Sequence, residues 1–196
     1  MTRTLRLTSA VAAAGLVLAG CSGTDEQPDS PAETTEASPV EEDASAAADP
    51  DNAAQADIDP DNPPEPLATT EMPATTAEDA PMTMRVDLLG LERQDKLLVA
   101  TFGFTPEEGE GRAQWHFGWL GDKGWAPQIV DGTNLKVHDV VAGSQVGRLM
   151  TAHQGTKFGP GQTYYAFATF AAPPSGATLS VKAADGAPPF TDVTAP

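Results

Sequence analysis

Met84-Arg85-Val86-Asp87-Leu88 and, shortly after it, Lys96-Leu97-Leu98-Val99-Ala100-Thr101-Phe102-Gly103-Phe104-Thr105 decide the fold class. In the first stretch Met84, Val86 and Leu88 alternate with Arg85 and Asp87; in the second Leu98, Ala100, Phe102 and Phe104 recur at every other position. A period of two puts successive side chains on opposite faces, so both stretches predict half-buried strands. Downstream, Trp115, Phe117 and Trp119 are expected on one face of a further strand, with Gly121-Asp122-Lys123-Gly124 as a hairpin turn into Trp125. More strands are expected at Gln128 to Val130, Leu135 to Val141, Val146 to Ala152, Thr163 to Ala171 and Thr178 to Ala183. Asp131-Gly132, Gly159-Pro160-Gly161, Pro173-Pro174 and Asp185-Gly186 read as the turns between them. No sustained 3.6-residue pattern appears. Seven or eight short strands over roughly 110 residues predict an all-β domain, an immunoglobulin-like antiparallel β-sandwich, with a small closed barrel as the alternative.

The domain is assigned to residues 83–196. All 12 aromatic residues lie between Phe102 and Phe190, enough to build a single core without a disulfide. Composition changes sharply upstream. Between Ser22 and Pro81 there are 17 acidic residues, 10 prolines, no Lys or Arg and no aromatic residue. Such a segment buries too little apolar surface to offset chain entropy, so residues 21–82 are expected to form a disordered, extended linker. The domain itself holds 11 acidic and 9 basic residues, so the net charge of −17 belongs to the linker. Scattered cations outnumbered by carboxylates argue against nucleic-acid binding.

Further toward the N-terminus, Arg3 and Arg6 precede an apolar run that ends in Leu18-Ala19-Gly20-Cys21. A basic start, a short apolar stretch and small residues before the cut describe a secretory signal over residues 1–20. Cysteine at the cut makes it a lipobox. An ordinary signal peptide or a membrane-spanning helix are the alternatives, but the apolar run is shorter than the ~20 residues a span needs. The reading places a diacylglyceryl group on Cys21 and the protein on the extracellular face of the cell membrane, anchored in the lipid bilayer. Cys21 is the single cysteine, so lipidation would leave no thiol for a disulfide, a metal or nucleophilic catalysis.

Asp49-Pro50-Asp51-Asn52 recurs as Asp59-Pro60-Asp61-Asn62, yet it lacks the turn glycine and closing carboxylate of a calcium loop and reads as a solvated acidic run. Thr34-Thr35, Thr69-Thr70 and Thr75-Thr76, set among Pro, Ala and Ser, have the composition of an O-glycosylated stalk. The histidines His116, His138 and His153 are dispersed and predict no metal site. Asp131, Asn134 and Asp139 could supply oxygens to a hard cation, but Asp131-Gly132 and Asn134 read more simply as turn residues. Gly143-Ser144-Gln145-Val146-Gly147 does not have the nucleophile-elbow spacing, and Glu107, Glu108 and Glu110 read as a solvated loop. No cofactor motif and no catalytic residue is expected. The candidate contact residues are Trp115, Trp119 and Trp125, because exposed indoles stack on sugar rings or dock proteins, whereas buried ones simply fill a sandwich core.

Gly159-Pro160-Gly161-Gln162-Thr163, Phe167-Ala168-Thr169-Phe170-Ala171-Ala172-Pro173-Pro174 and Pro188-Pro189-Phe190-Thr191-Asp192-Val193 carry a resemblance. Together with the lipobox and the acidic spacer, they are similar to the immunoglobulin-like lipoproteins of high-GC Gram-positive bacteria. In some of these the module precedes an OmpA-like, peptidoglycan-binding domain. No such second domain is expected before Pro196, so that wall-binding role is not carried over. The resemblance implies fold and location, and supplies no catalytic residue. Two functions are therefore expected from the sequence: an interaction module for an envelope protein or glycan, or a carrier of a small ligand, sugar or metal. Replacing Cys21→Ala should abolish incorporation of labelled fatty acid in a cell that processes lipoproteins; undiminished label would remove the lipid anchor from the reading.

Overall fold

The computed structural model describes residues 53, 56–76, 81–121, 123–144, 147–151 and 155–196. The segment 1–20, Cys21, the linker as far as residue 52, Thr34-Thr35 and His153 lie outside the described residues.

The two deciding stretches become the centre of a sheet. β2 (Pro81–Gln94) and β3 (Leu97–Pro106) pair antiparallel across a tight turn in which Asp95 takes φ 55°. Their alternation places Met84, Val86, Leu88, Leu98, Ala100, Phe102 and Phe104 in the interior. On one side β2 pairs with β1 (Ala68–Thr75); on the other β3 pairs with β10 (Tyr164–Ala171), giving the order β1-β2-β3-β10. A second antiparallel sheet has the order β12-β11-β5-β6, from β5 (Gln128–Asp131), β6 (Lys136–Asp139), β11 (Thr178–Lys182) and β12 (Phe190–Thr194). Its inward residues Ile129, Leu179, Val181 and Phe190 join the same core cluster as the first sheet. The fold is therefore all-β, with both large sheets antiparallel and one core between them.

The sheets meet at one edge. Directly after β6, Val140 forms a bridge with Phe170 of β10, and Met150 forms another with Ala168. Two short ladders complete the set: β4 (Gln114–Trp115) with β9 (Lys157–Phe158), and β7 (Ala142–Gly143) with β8 (Gly147–Arg148). Arg93 fastens the chain end, donating from Nη2 to the Pro173 carbonyl at 2.6 Å and from Nε to the Pro196 carbonyl at 2.8 Å.

Three expectations need correction. The linker was expected to run to residue 82, yet β1 lies within it and pairs with β2 along its whole length. Averaged over the acidic segment, composition conceals a local alternation in which Met72 and Ala74 face inward and Glu71, Pro73 and Thr75 outward. Pro73 fits because β1 is the outer strand of its sheet, where a missing N–H breaks no ladder. Upstream, Ala53, Ala56 and Ile58 pack on Leu89 and Tyr165, so chain contacts begin earlier still. Asp59-Pro60-Asp61-Asn62 forms a turn, with Asp59 Oδ1 accepting from the Asp61 N–H and the Asp59 carbonyl from the Asn62 N–H.

Second, the strand expected through Trp115, Phe117 and Trp119 is interrupted. Only Gln114–Trp115 is extended, and α1 (His116–Leu120) follows. Aromatics at alternate positions suggested period two, but His116, Trp119 and Leu120 stand at i, i+3 and i+4 and form the buried stripe of a helical turn. Gly121 ends α1 at φ 62°, where a Cβ would run into the Thr75 side chain; glycine is what lets α1 sit against β1. Third, the strand expected over Val146 to Ala152 is reduced, among the described residues, to the two residues of β8 and the Met150 bridge.

Because Met72 is 1% exposed and packs in the core, Met72→Ala should lower the free energy of unfolding by about 2–5 kcal/mol. Urea denaturation of the full chain measures this, and a loss under about 0.5 kcal/mol would contradict β1 as part of the core.

Candidate functional site

The three tryptophans divide by burial. Trp119 is wholly buried and its Nε1–H donates to the Phe158 carbonyl at 2.9 Å. Trp125 is also buried, and its Nε1–H donates to the Thr151 carbonyl at 3.1 Å. Both indoles thus meet the requirement that a buried N–H find an acceptor, and both belong to the core. Trp115 is 48% exposed, and the neighbouring Phe117 is 53% exposed. They flank the start of α1, where the helical turn that buries His116 and Trp119 turns these two rings outward. Lys157, paired with Trp115 across β4 and β9, holds its ammonium 4.8 Å from the indole centroid. That distance is within cation–π range and steadies the ring.

Behind them lies an aromatic cluster. The Trp125 ring meets Phe102 at 5.9 Å and Phe104 at 5.5 Å between centroids, both edge-on, while Phe158 stacks on Tyr164 at 5.0 Å. His116 sits among them, 4.3 Å from Phe104, 4.9 Å from Tyr164 and 5.1 Å from Trp125. It is wholly enclosed. Burial also pushes the Tyr164 hydroxyl up to about 12.

His138 is half-buried on β6, facing Ile129 across the ladder. Asp131 is buried at the end of β5 and organises the β5–β6 turn, accepting from the Asn134 N–H at 2.9 Å and from Asn134 Nδ2 at 2.8 Å. These bonds are those of a turn, the simpler of the two sequence readings. Asp139 takes a different partner, Gln128 Nε2, at 2.8 Å. Among the described residues no group of three or more His, Cys, Asp or Glu converges as a metal site would require. No described helix is long and apolar enough to cross a membrane.

A second polar arrangement lies on the outer face of the first sheet, and sequence reasoning did not find it. The strand register aligns Glu71, Arg85 and Thr105 in one row across β1, β2 and β3, and Thr105 Oγ1 lies 2.9 Å from Thr163 Oγ1. The next row aligns Thr69, Asp87, Gly103 and Tyr165. Asp87 is buried, accepting from Thr69 Oγ1 at 2.7 Å and from Arg85 Nε at 3.0 Å. Over the first of these rows a groove of about 360 Å³ is lined by Glu71, Arg85, Thr105, Glu107, Glu108 and Thr163. Glu107 and Glu108, expected as a solvated loop, form one wall of it. Arg85 and Asp87 stand two residues apart, which already put them on one face; the burial of Asp87 was not readable from that spacing.

The chain matches no protein-family model, no curated protein and no solved structure.

For Asp131, burial opposes the charge, but hydrogen bonds from the Asn134 side chain and from the backbone N–H groups of Asn134 and Thr133 outweigh it, with His138 adding attraction. The carboxyl is held below its ordinary value of 3.8. A carboxyl that ionises more readily when folded contributes stability above its unfolded value, and that contribution is lost as pH falls through the lower, folded one. Stability should therefore decline as pH drops below about 3.8, and Asp131→Asn should flatten that part of the profile. Thermal melts of both chains across the acid range test this; parallel profiles would exclude Asp131 as a source of acid sensitivity.

Proposed function

We propose that this protein is a lipoprotein anchored through Cys21 to the extracellular face of the cell membrane, where its β domain serves as a non-catalytic interaction module. The observation that carries the reading is the division of the aromatics. Trp119 and Trp125 are committed to the core, while Trp115, just before α1, and Phe117, in its first turn, are about half exposed. Large apolar rings held outward by a rigid element are costly to leave in water and are characteristic of contact surfaces. Their expected partner is an envelope protein or a glycan, recognised by ring stacking and apolar contact rather than by turnover. Anchoring and docking together would raise the effective concentration of the module near membrane partners.

For the domain itself we favour a sandwich of immunoglobulin-like kind, supported by two four-stranded antiparallel sheets over one core. Its strand order differs from the immunoglobulin arrangement, since β1, β2 and β3 follow one another within one sheet. The Val140–Phe170 bridge joins the two sheets at one edge, the feature that favours the barrel alternative. The carrier reading draws support from the outer groove, whose lining includes none of the tryptophans.

Crosslinking of the full lipidated chain in living cells tests the module. A Trp115→Ala, Phe117→Ala double variant should fold, because both rings are exposed, and should lose the protein or glycan adduct that the parent chain captures. Equal capture by both would exclude this surface as the docking site.

A further inference from the structure

We propose that the groove on the outer face of the first sheet binds a free α-amino acid with an aliphatic side chain. Arg85 is the anchor. Its guanidinium has five N–H donors in a planar fork, and Nε is given to Asp87, whose other oxygen is taken by Thr69. Asp87 is buried, so the ion pair behind Arg85 is shielded from water on one side and sets the orientation of the fork. Arg85 itself is more than half exposed and lines the groove, leaving its two terminal amino groups to face a ligand. A planar pair of N–H donors is the complement of a carboxylate.

The remaining lining decides what else the ligand must carry. Glu71, Glu107 and Glu108 surround the same space. A ligand that is only anionic meets these carboxylates, and one that is only cationic meets Arg85. An α-amino acid satisfies both, its carboxylate on Arg85 and its ammonium on the glutamates, with the Thr105 and Thr163 hydroxyls able to donate or accept. Beyond Glu71 and Glu107, which the two spaces share, a groove of about 430 Å³ runs over Pro73, Pro81 and Met82. That apolar continuation suits an aliphatic side chain. The two spaces together are ample for a ligand of this size.

The site shares no lining residue with the Trp115 and Phe117 surface, so either can fail without the other. Its strands are rigid: Arg85 stands mid-strand in β2, between β1 and β3. Glu71 and Thr105 flank it on the neighbouring strands, while Glu107, Glu108 and Thr163 come from the segments next to β3 and β10.

Titration of the isotopically labelled full chain with L-leucine, followed by nuclear magnetic resonance, tests the proposal. Millimolar L-leucine should shift the Arg85 Nε–H signal and the Thr105 and Thr163 amides. N-acetyl-L-leucine, which lacks the ammonium, and L-leucinamide, which lacks the carboxylate, should each bind at least about tenfold more weakly. Arg85→Lys keeps the charge but loses the fork, and should weaken L-leucine binding by about tenfold or more. Glu107→Gln, at an exposed position that leaves the core untouched, should weaken it as well. Unchanged Phe170 and Ala168 amide signals in both variants would show that the fold is retained. The proposal is overturned if L-leucine shifts none of these signals, if either single-charge analogue binds as tightly, or if neither variant alters the affinity.

Discussion

Two indole N–H groups hold the molecule's irregular half against its regular half. A tryptophan enters a core at the cost of desolvating its N–H unless an acceptor is at hand. Trp119 finds one in the carbonyl of Phe158, and Trp125 in the carbonyl of Thr151. Phe158 lies in a two-residue strand, and Thr151 in a short segment tied to β10 by the Thr151 N–H to the Phe167 carbonyl and the Thr169 N–H to the Leu149 carbonyl. The same contact thus satisfies a buried donor and ties down a connection. Thr151 extends the connection, its hydroxyl accepting from the Phe167 N–H on β10. The packing of Phe102 and Phe104 edge-on against Trp125 depends on where these bonds set the indole.

This arrangement gives the aromatic segment a buried side and an exposed one. Within Trp115 to Leu120, one helical turn sends three side chains to the core and leaves two rings outside. The exposed pair is rigid because the buried set is. A loop presenting the same rings would lose more freedom on docking, and affinity would suffer accordingly. The groove on the outer face of the first sheet follows a similar logic: a buried group, Asp87, orients an exposed one, Arg85. In both places the interior sets the geometry at the surface.

How much of this was legible in the sequence depended on how local the deciding physics was. β2, β3, β5, β10 and β11 could be read because each carries its own alternation or apolar run between turn residues. β1 could not, because its inward pair Met72 and Ala74 is diluted by the acidic, proline-rich surroundings and becomes a strand only by pairing with β2. At His116 to Leu120 two periodicities coexist in five residues; burial of His116 among Phe104, Tyr164 and Trp125 decides between them, and those partners are distant in sequence. The Arg85 groove depends on Thr163 and on the glutamates after β3, brought together by strand register. Trp115 was singled out from sequence; its separation from Trp119 and Trp125 required the fold.

The contacts of Ala53, Ala56 and Ile58 with Leu89 and Tyr165 have a mechanical consequence. Among the described residues, tension applied from the N-terminal side reaches this small apolar patch before the bond from the Leu67 N–H to the Leu88 carbonyl and the β1–β2 ladder. Non-directional apolar contacts tolerate sliding, whereas a hydrogen-bonded ladder fails when its geometry is lost. Pulled from that side, the patch would therefore slip before the ladder breaks, so the order of the contacts along the chain would set the order in which they yield.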